Sequence, residues 1–312
     1  MNTLVTGACG YKGSVLVPKL IKRGYNVNAL DIQWFGNFLK PAPNLKIFKH
    51  DVNDTENINL EGIDIIIHLA SIANDPTGDL NPKLTWETSC LSTMRLIDRC
   101  SREGIKRFIY ASSGSVYGLK EEKNVTEDLT LVPVSEYNKT KMVSERVVLS
   151  YSSKVKSQII RPATVCGLSP RMRLDVSVNL LTMAALEKKV ITVFGGEQVR
   201  PNIHIDDITD VYLHFLDNPN LKGVYNAGFE NLSIRSIAEI ISKKLNVPIK
   251  YTSTNDIRSY RVDSTKLLNT GYKQKFSVED AIDQIIFSYK NDTLKNLPMF
   301  HNLKWMIQNN LA

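Results

Sequence analysis

The chain reads as an α/β protein built on a doubly wound parallel sheet, with a smaller carboxyl-terminal α/β region for substrate. Three observations carry this reading. Short apolar runs alternate with helix-length segments from the amino terminus onward, no hairpin dipeptide joins one run to the next, and a glycine-spaced turn follows the first run. Residues 1–165 are assigned to a nucleotide-binding domain. Residues 166–312 are assigned mainly to substrate binding, with segments free to return to the first domain.

The elements follow in order. Thr3 to Thr6 is a β-type run, Gly7-Ala-Cys-Gly10-Tyr11-Lys12-Gly13 is a turn, Ser14 to Arg23 is a helix, and Tyr25 to Leu30 is a second strand. In a Rossmann-type turn Gly7 would adopt the tight bend, Gly10 would let the backbone approach a pyrophosphate, and Gly13 would let helix pack on strand. Amides at that helix N-terminus then face an anion. Asp31 ends the second strand at the spacing of a carboxylate that accepts from a ribose 2′-hydroxyl. It would repel a 2′-phosphate, so NAD is favoured over NADP; Lys12 works slightly against that preference. Tyr11, Lys12 and Ile32 belong to the same expected cofactor face.

Lys46 to His50 is a strand leading into Asp51-Val52, placed to meet an adenine edge. Asp64 to Leu69 is nearly all apolar, as a strand buried on both faces should be. It leads to Leu69, Ala70 and Ser71 beside the cofactor crevice, while His68 reads as a packed strand histidine. Leu84 to Arg102 is a long helical stretch and Phe108 to Ser112 a strand. Ligands of such sheets sit at the carboxyl ends of the strands, and Asp31, Asp51, Ala70 and Ser112-Ser113 all fall there.

Tyr137 and Lys141 are four apart, so on a helix they share one face. A phenol titrates near 10 and is a poor base at neutral pH, but neighbouring cations favour the phenolate. Such a group could take a hydroxyl proton while hydride leaves the same carbon. A Tyr-x-x-x-Lys pair alone carries a real false-positive risk, so its weight comes from the nucleotide-binding features around it.

Further on, Ser169-Pro-Arg171-Met-Arg173 precedes a helix that starts near Asp175 and contains Asn179. Asp206 to Asn218 and Ser233 to Leu245 are helical, Tyr225 to Gly228 is strand-like, and Ser277-Val-Glu-Asp280 opens a final helix as a capping box. The tail from Asn291 is apolar enough at Phe300, Trp305 and Met306 to dock on a partner or on its own body.

Composition excludes several classes. Apolar residues make up 43% and charged residues 23% of 312, the balance of a globular protein. No apolar run reaches membrane-span length, and the chain opens directly on a strand, so cytoplasm is the expected location. Lys and Arg exceed Asp and Glu by 39 to 32, but the basic residues are scattered, with no nucleic-acid arm. Cys9, Cys90, Cys100 and Cys166 lack metal-ligand spacing and read as buried thiols; no metal is expected.

Gly7-x-x-Gly10-x-x-Gly13, Asp31, Asp51-Val52, His68-Leu69-Ala70, Ser112-Ser113-Gly-Ser-Val-Tyr117-Gly118, Tyr137-x-x-x-Lys141 and Arg161-Pro162 occur in one order along the chain. Together they resemble the extended short-chain dehydrogenase/reductases, in the NAD-dependent nucleotide-sugar epimerase/dehydratase branch. The resemblance implies Ser113, Tyr137 and Lys141 as catalytic residues, with Ser113 bonded to the sugar oxygen that becomes a carbonyl. It puts Pro162 and Val165 against the nicotinamide. For the nucleoside-diphosphate sugar it implies Ser113, Ser115, Asn179, Arg200 and Arg258, the arginines gripping phosphate oxygens as two-pronged forks. It also implies a homodimer packed through Leu84 to Arg102 and the helix bearing Tyr137.

A 4,6-dehydratase of this kind carries an Asp-Glu pair directly after the catalytic hydroxyl residue. Gly114 and Ser115 stand there, which disfavours dehydration. The reading that results is an NAD-dependent nucleotide-sugar epimerase working through a transient keto sugar. A dehydrogenase or keto-sugar reductase of the same family, for example on a GDP-sugar, stays open, as does a non-catalytic dinucleotide sensor.

Overall fold

The computed structural model describes residues 1–254 and 259–311. Strands β1 (Asn2–Thr6), β2 (Asn26–Asp31), β3 (Leu45–Lys49), β4 (Ile65–His68), β5 (Arg107–Ala111) and β6 (Lys156–Pro162) succeed one another along the chain. They are followed by β7 (Thr164–Cys166), β8 (Ile191–Phe194), β9 (Val199–His204), β10 (Gly223–Ala227), β11 (Glu230–Ser233) and β12 (Ile249–Thr252). Seven of them form one parallel sheet in the order β3-β2-β1-β4-β5-β6-β10. The order reverses between β1 and β4, and the crevice at their carboxyl ends is where such sheets hold ligands.

Alternation along these strands builds two apolar layers. Val5, Ile65, Ile67, Ile109 and Ile160 face one; Leu4, Ile66, Phe108, Tyr110 and Ile159 face the other. The sheet is therefore covered on both sides, as a parallel sheet must be.

Helix α1 (Gly13–Lys22) follows the glycine turn. Two short helices, α2 (Asp75–Leu80) and α3 (Pro82–Trp86), start on the side chains of Asn74 and Asn81. The long helix expected from Leu84 to Arg102 is divided. After α3 the backbone widens into π-type turns at Glu87–Leu91 and resumes as α4 (Ser92–Glu103), which Gly104 ends in the left-handed region. The widened turn lets Ser89 hold Ser71 and the Ile72 amide at the crevice. Helix α5 (Glu136–Ser150) carries the Tyr-Lys pair, with Ser135 as its cap.

Beyond β6 come α6 (Ser177–Lys188), α7 (Ile205–Asp217) and α8 (Ile234–Leu245). The last three helices are α9 (Thr265–Leu268), α10 (Val278–Lys290) and α11 (Asn302–Gln308). Helix α7 returns to the large sheet by packing on α1, where Lys19 Nζ lies 2.9 Å from Asp206 and 2.8 Å from Asp210; β10 then joins β6. The remaining strands form a three-stranded sheet, β11-β9-β7, and a pair, β12-β8. Ser277 and Asp280 make the expected capping box on α10, but α10 is not the final helix. The tail folds into α11 against the chain's own body, burying Phe300 and Met306.

All four cysteines are buried free thiols. No helix among the described residues is long and apolar enough to cross a membrane.

Candidate active site

The carboxyl ends of β1, β2, β4, β5 and β6 open into one cleft with a cavity of about 440 Å³. Gly7, Gly10, Tyr11, Lys12 and Gly13 line its floor, and Asp31, Ile32, Asp51 and Val52 line one end. Leu69, Ala70 and Ser71 lie along the middle, and Ser113, Ser115, Tyr137, Pro162, Val165 and Arg200 lie toward the other elements. The bend at Gly7 has φ +68°, and a Cβ there would sit 2.7 Å from the Ala70 nitrogen. A Cβ on Gly13 would sit 2.4 Å from the Ala8 carbonyl oxygen. Glycine is therefore demanded at both positions by neighbouring backbone.

Asp31 is fixed by two backbone amides. Cys9 N donates at 2.9 Å and Gln33 N at 2.7 Å. Burial pushes the carboxyl's pKa up, opposed by those amides and by the charge of Arg171. Lys12 projects from the turn, and burial, with the charge of Arg173, lowers its ammonium to about 8.

Ser113 caps the turn Gly114–Tyr117, and its hydroxyl lies 2.7 Å from that of Ser115. Ser115 in turn donates to the side-chain oxygen of Asn138 on α5. The first turn of α5 is held by Ser135, which accepts from the Asn138 amide and donates to Asp75 at 2.8 Å. Gly78 of α2 packs so closely on Tyr137 that a Cβ would come within 2.9 Å of the tyrosine's own. Tyr137 is thus clamped between α2 and the Ser113 turn.

In the protein alone, burial outweighs the neighbouring cations at the Tyr137 phenol. Burial raises it to about 12; the Ser113 hydrogen bond opposes this, Asp75 adds to it, and Arg173 opposes it. Lys141 Nζ lies 5.9 Å from the centre of the Tyr137 ring, but it donates to the Ala111 carbonyl at 2.8 Å. It is 3% exposed, and burial, then the charge of Lys12, lowers it to about 7 against the pull of Glu145. An ammonium disfavoured by burial and already donating to a carbonyl stabilises the phenolate weakly.

Asn179, assigned to the substrate, does not line the cleft. Asn179 is fully buried beneath the glycine turn, where it accepts from the Gly167 amide and donates to Tyr11 Oη and the Arg173 carbonyl. It braces the floor of the cleft and does not reach its surface. Arg258 lies outside the described residues. His68 is a packed strand histidine, bonded to Thr6 and Thr93 and lowered by burial to about 3.

Several cleft residues had no signal in the sequence: Trp34, Phe35, Asp75, Tyr260 and Asn302. Asn138 was within reach, since it sits inside the Tyr-Lys motif. Arg171 and Arg173, whose role the sequence left open, also line the cleft, and each keeps one buried guanidinium nitrogen without a partner. A glycine floor, a carboxylate at the end of β2 and buried guanidinium nitrogens with no protein acceptor suit a dinucleotide: its diphosphate is anionic and its riboses carry hydroxyls. Among the described residues no cluster of His, Cys, Asp or Glu is placed to hold a metal ion.

Comparison with known proteins agrees with this cleft. Residues 3–228 match the model of the NAD dependent epimerase/dehydratase family. The chain is 33% identical over 266 residues to the "Uncharacterized UDP-glucose epimerase YtcB" of Bacillus subtilis, covering 77% of this chain and 81% of that one. It is 28% identical to a UDP-glucose 4-epimerase of Lactobacillus helveticus, covering 90% of this chain and 95% of the relative. Among solved structures, a Bacillus cereus UDP-glucuronic acid 4-epimerase in complex with UDP-glucuronic acid and NAD superposes with a TM-score of 0.82. That match is 27% identical and covers 93% of this chain and 99% of the other. A trifunctional protein of Arabidopsis thaliana, named as a UDP-glucose 4,6-dehydratase, epimerase and reductase, is 26% identical, covering 92% of this chain and 47% of that protein.

Proposed function

The chain belongs to the NAD dependent epimerase/dehydratase family, and from that premise we propose that it epimerises a sugar carried on a nucleoside diphosphate, through a transient keto sugar. The observation that carries this is the meeting of Ser113 and Tyr137 in one cleft with the glycine turn and Asp31. The relatives named above are UDP-sugar proteins, which makes UDP-sugars the first candidates.

NAD, when bound, supplies hydride acceptance and return. Tyr137 takes the sugar hydroxyl's proton in the first half of the reaction and returns it in the second. Because its phenol is raised to about 12 in the protein alone, Tyr137 starts as the acid form, and its task as base depends on charge brought into the cleft. Ser113 holds the oxygen that becomes a carbonyl, while Ser115 and Asn138 fix the direction of the Ser113 hydroxyl. Lys141 works under the tyrosine ring from its anchor on Ala111. Gly114 and Ser115 supply no carboxylates for expelling water. Arg200 reaches the diphosphate of the substrate in this reading.

The reading also includes a homodimer joined through the segment from Leu84 to Arg102, mostly α4, and through α5. Around the start of α4, Leu91 and Met94 are exposed at 36% and 40%.

The test is incubation with UDP-, GDP-, CDP- and dTDP-sugars, following reduced-nicotinamide absorbance and product stereochemistry. An epimer formed without net coenzyme reduction supports the proposal. Reduced coenzyme with no epimer would replace it with a dehydrogenase, and loss of water with a dehydratase.

A further inference from the structure

Two features stand outside the reaction just described: the pair Arg171 and Arg173, and the carboxyl-terminal helix α11. The structure joins them. Arg171 is 2% exposed, and its guanidinium lies 4.2 Å from the centre of the Phe35 ring. Its Nη2 donates to Asn302 Oδ1 at 2.5 Å, from the first residue of α11. Arg173 pairs with Asp175, whose other oxygen accepts from the backbone amide of the same Asn302.

Helix α11 is itself tied across the cleft. Trp305 Nε1 donates to the Trp34 carbonyl at 2.7 Å, just past Asp31, while α11 packs on α2 beside Tyr137. Asn302 and Met306 line the cavity. Arg171 Nε and Arg173 Nη2 remain buried without a protein partner. These groups gather at the amino end of α1, since the Arg171 amide donates to Ser14.

We propose that Arg171 and Arg173 form a second, guanidinium wall against the dinucleotide's pyrophosphate, opposite the glycine turn, and that α11 sets this wall in place through Asn302. The chemistry follows from charge and geometry. Buried donors with nothing to bond are costly unless an acceptor arrives. A diphosphate offers the acceptor oxygens and negative charge that guanidinium groups match best. Charge on the site supports this, because burial and then Arg173 lower the pKa of Arg171, with only Asp175, Asp31 and Tyr11 opposing. The carboxyl-terminal helix is then a cofactor-binding element, and Asn302 is a positioning residue.

The inference rests on NAD as the coenzyme and not on the sugar, so it is tested by binding in the absence of nucleotide sugar. Calorimetric titration of coenzyme-stripped protein would compare NAD with adenosine, which shares adenine and ribose but has no phosphate. Arg171→Met should weaken NAD roughly 10- to 100-fold and adenosine by less than about twofold, with a shallower salt dependence of NAD binding. Asn302→Ala, which leaves every cation in place, should weaken NAD alone by roughly three- to tenfold. If Arg171→Met does not fold, as judged by its thermal melt, Arg171→Lys and Asn302→Ala carry the test. Unchanged NAD affinity, or equal losses for NAD and adenosine, would overturn the clamp while leaving the coenzyme assignment standing. Wild-type protein that binds no NAD would overturn both.

Discussion

Arg161 and Glu145 meet in a two-pronged ion pair, Nε to Oε1 at 2.9 Å and Nη2 to Oε2 at 2.7 Å, with both residues at least 96% buried. The pair fastens α5, which carries Tyr137 and Lys141, to β6, which ends at Pro162 in the cleft. Arg161 also donates to the Tyr117 hydroxyl at 2.6 Å, and Tyr117 donates to Asn226 of β10. The Arg-Pro motif is therefore an internal brace. Removing one partner leaves a buried charge, so Glu145→Ala should cost about 3–5 kcal/mol in chemical denaturation. The double variant Arg161→Met/Glu145→Leu should lose less than the worse single one; additive losses would contradict the coupling.

The clamp on Tyr137 separates chemistry from coenzyme binding. Tyr137→Phe keeps the ring between Gly78 and Lys141 and removes only the hydroxyl. Turnover should fall by roughly 10²- to 10⁴-fold, while NAD affinity changes by less than about twofold. Stopped-flow turnover and NAD titration on the same preparation would check both. A variant with full activity would remove Tyr137 from its role.

Asp31 is the residue proposed to choose between NAD and NADP. Its carboxylate, fixed by the Cys9 and Gln33 amides, repels a 2′-phosphate, whereas Arg171 nearby attracts one. The carboxylate is on the strand end itself, so NAD should bind about tenfold or more tightly than NADP. Asp31→Asn, which removes charge but keeps an acceptor, should narrow that gap. Tighter NADP binding by the wild type would reverse the assignment of Asp31.

What the sequence made legible was local. Ile65 to Ile67 announced a strand buried on both faces, Gly7 to Gly13 announced its turn, and Ser277 with Asp280 announced a cap, because each pattern lies within a few neighbouring residues. The strands β8 and β12 were not legible: β8 is only four residues long, Ile191 and Val193 buried and Thr192 and Phe194 exposed, and pairing with a distant segment decides such a strand. The contact between Arg171 and Asn302 spans 131 residues, which no local pattern encodes. Asn179 was assigned to the substrate by the family resemblance, and only packing reveals that it braces the floor. The Tyr137-Lys141 spacing was legible as well, but the Ala111 carbonyl that occupies the ammonium was not.

Dimerisation should fail when the exposed face of α4 is charged. Met94→Arg places a cation at a solvent-facing apolar position, so the monomer's stability should change by less than about 0.5 kcal/mol. Sedimentation should show a dimer for the wild type and a monomer for the variant. A wild-type monomer would refute the proposed association.

Lys141 gives the protein a pH dependence of definite sign. Its ordinary value of 10.5 falls to about 7 in the folded chain, through burial first and the Lys12 charge second. Below that value both folded and unfolded chains carry the proton, and the buried ammonium is a constant cost. Between about 7 and about 10.5 the folded chain has lost the proton while the unfolded chain keeps it. The unfolded state then binds more protons, so this group makes stability rise with pH through that window. Lys141→Met lacks the effect. Melting curves of coenzyme-stripped wild type and Lys141→Met from about pH 6 to about pH 9 should show the wild type gaining on the variant as pH rises. A difference that stays flat would mean that Lys141 keeps its proton in the fold. The ammonium would then be fully available to the Tyr137 ring at neutral pH, and its anchor on Ala111 would cost less than burial suggests.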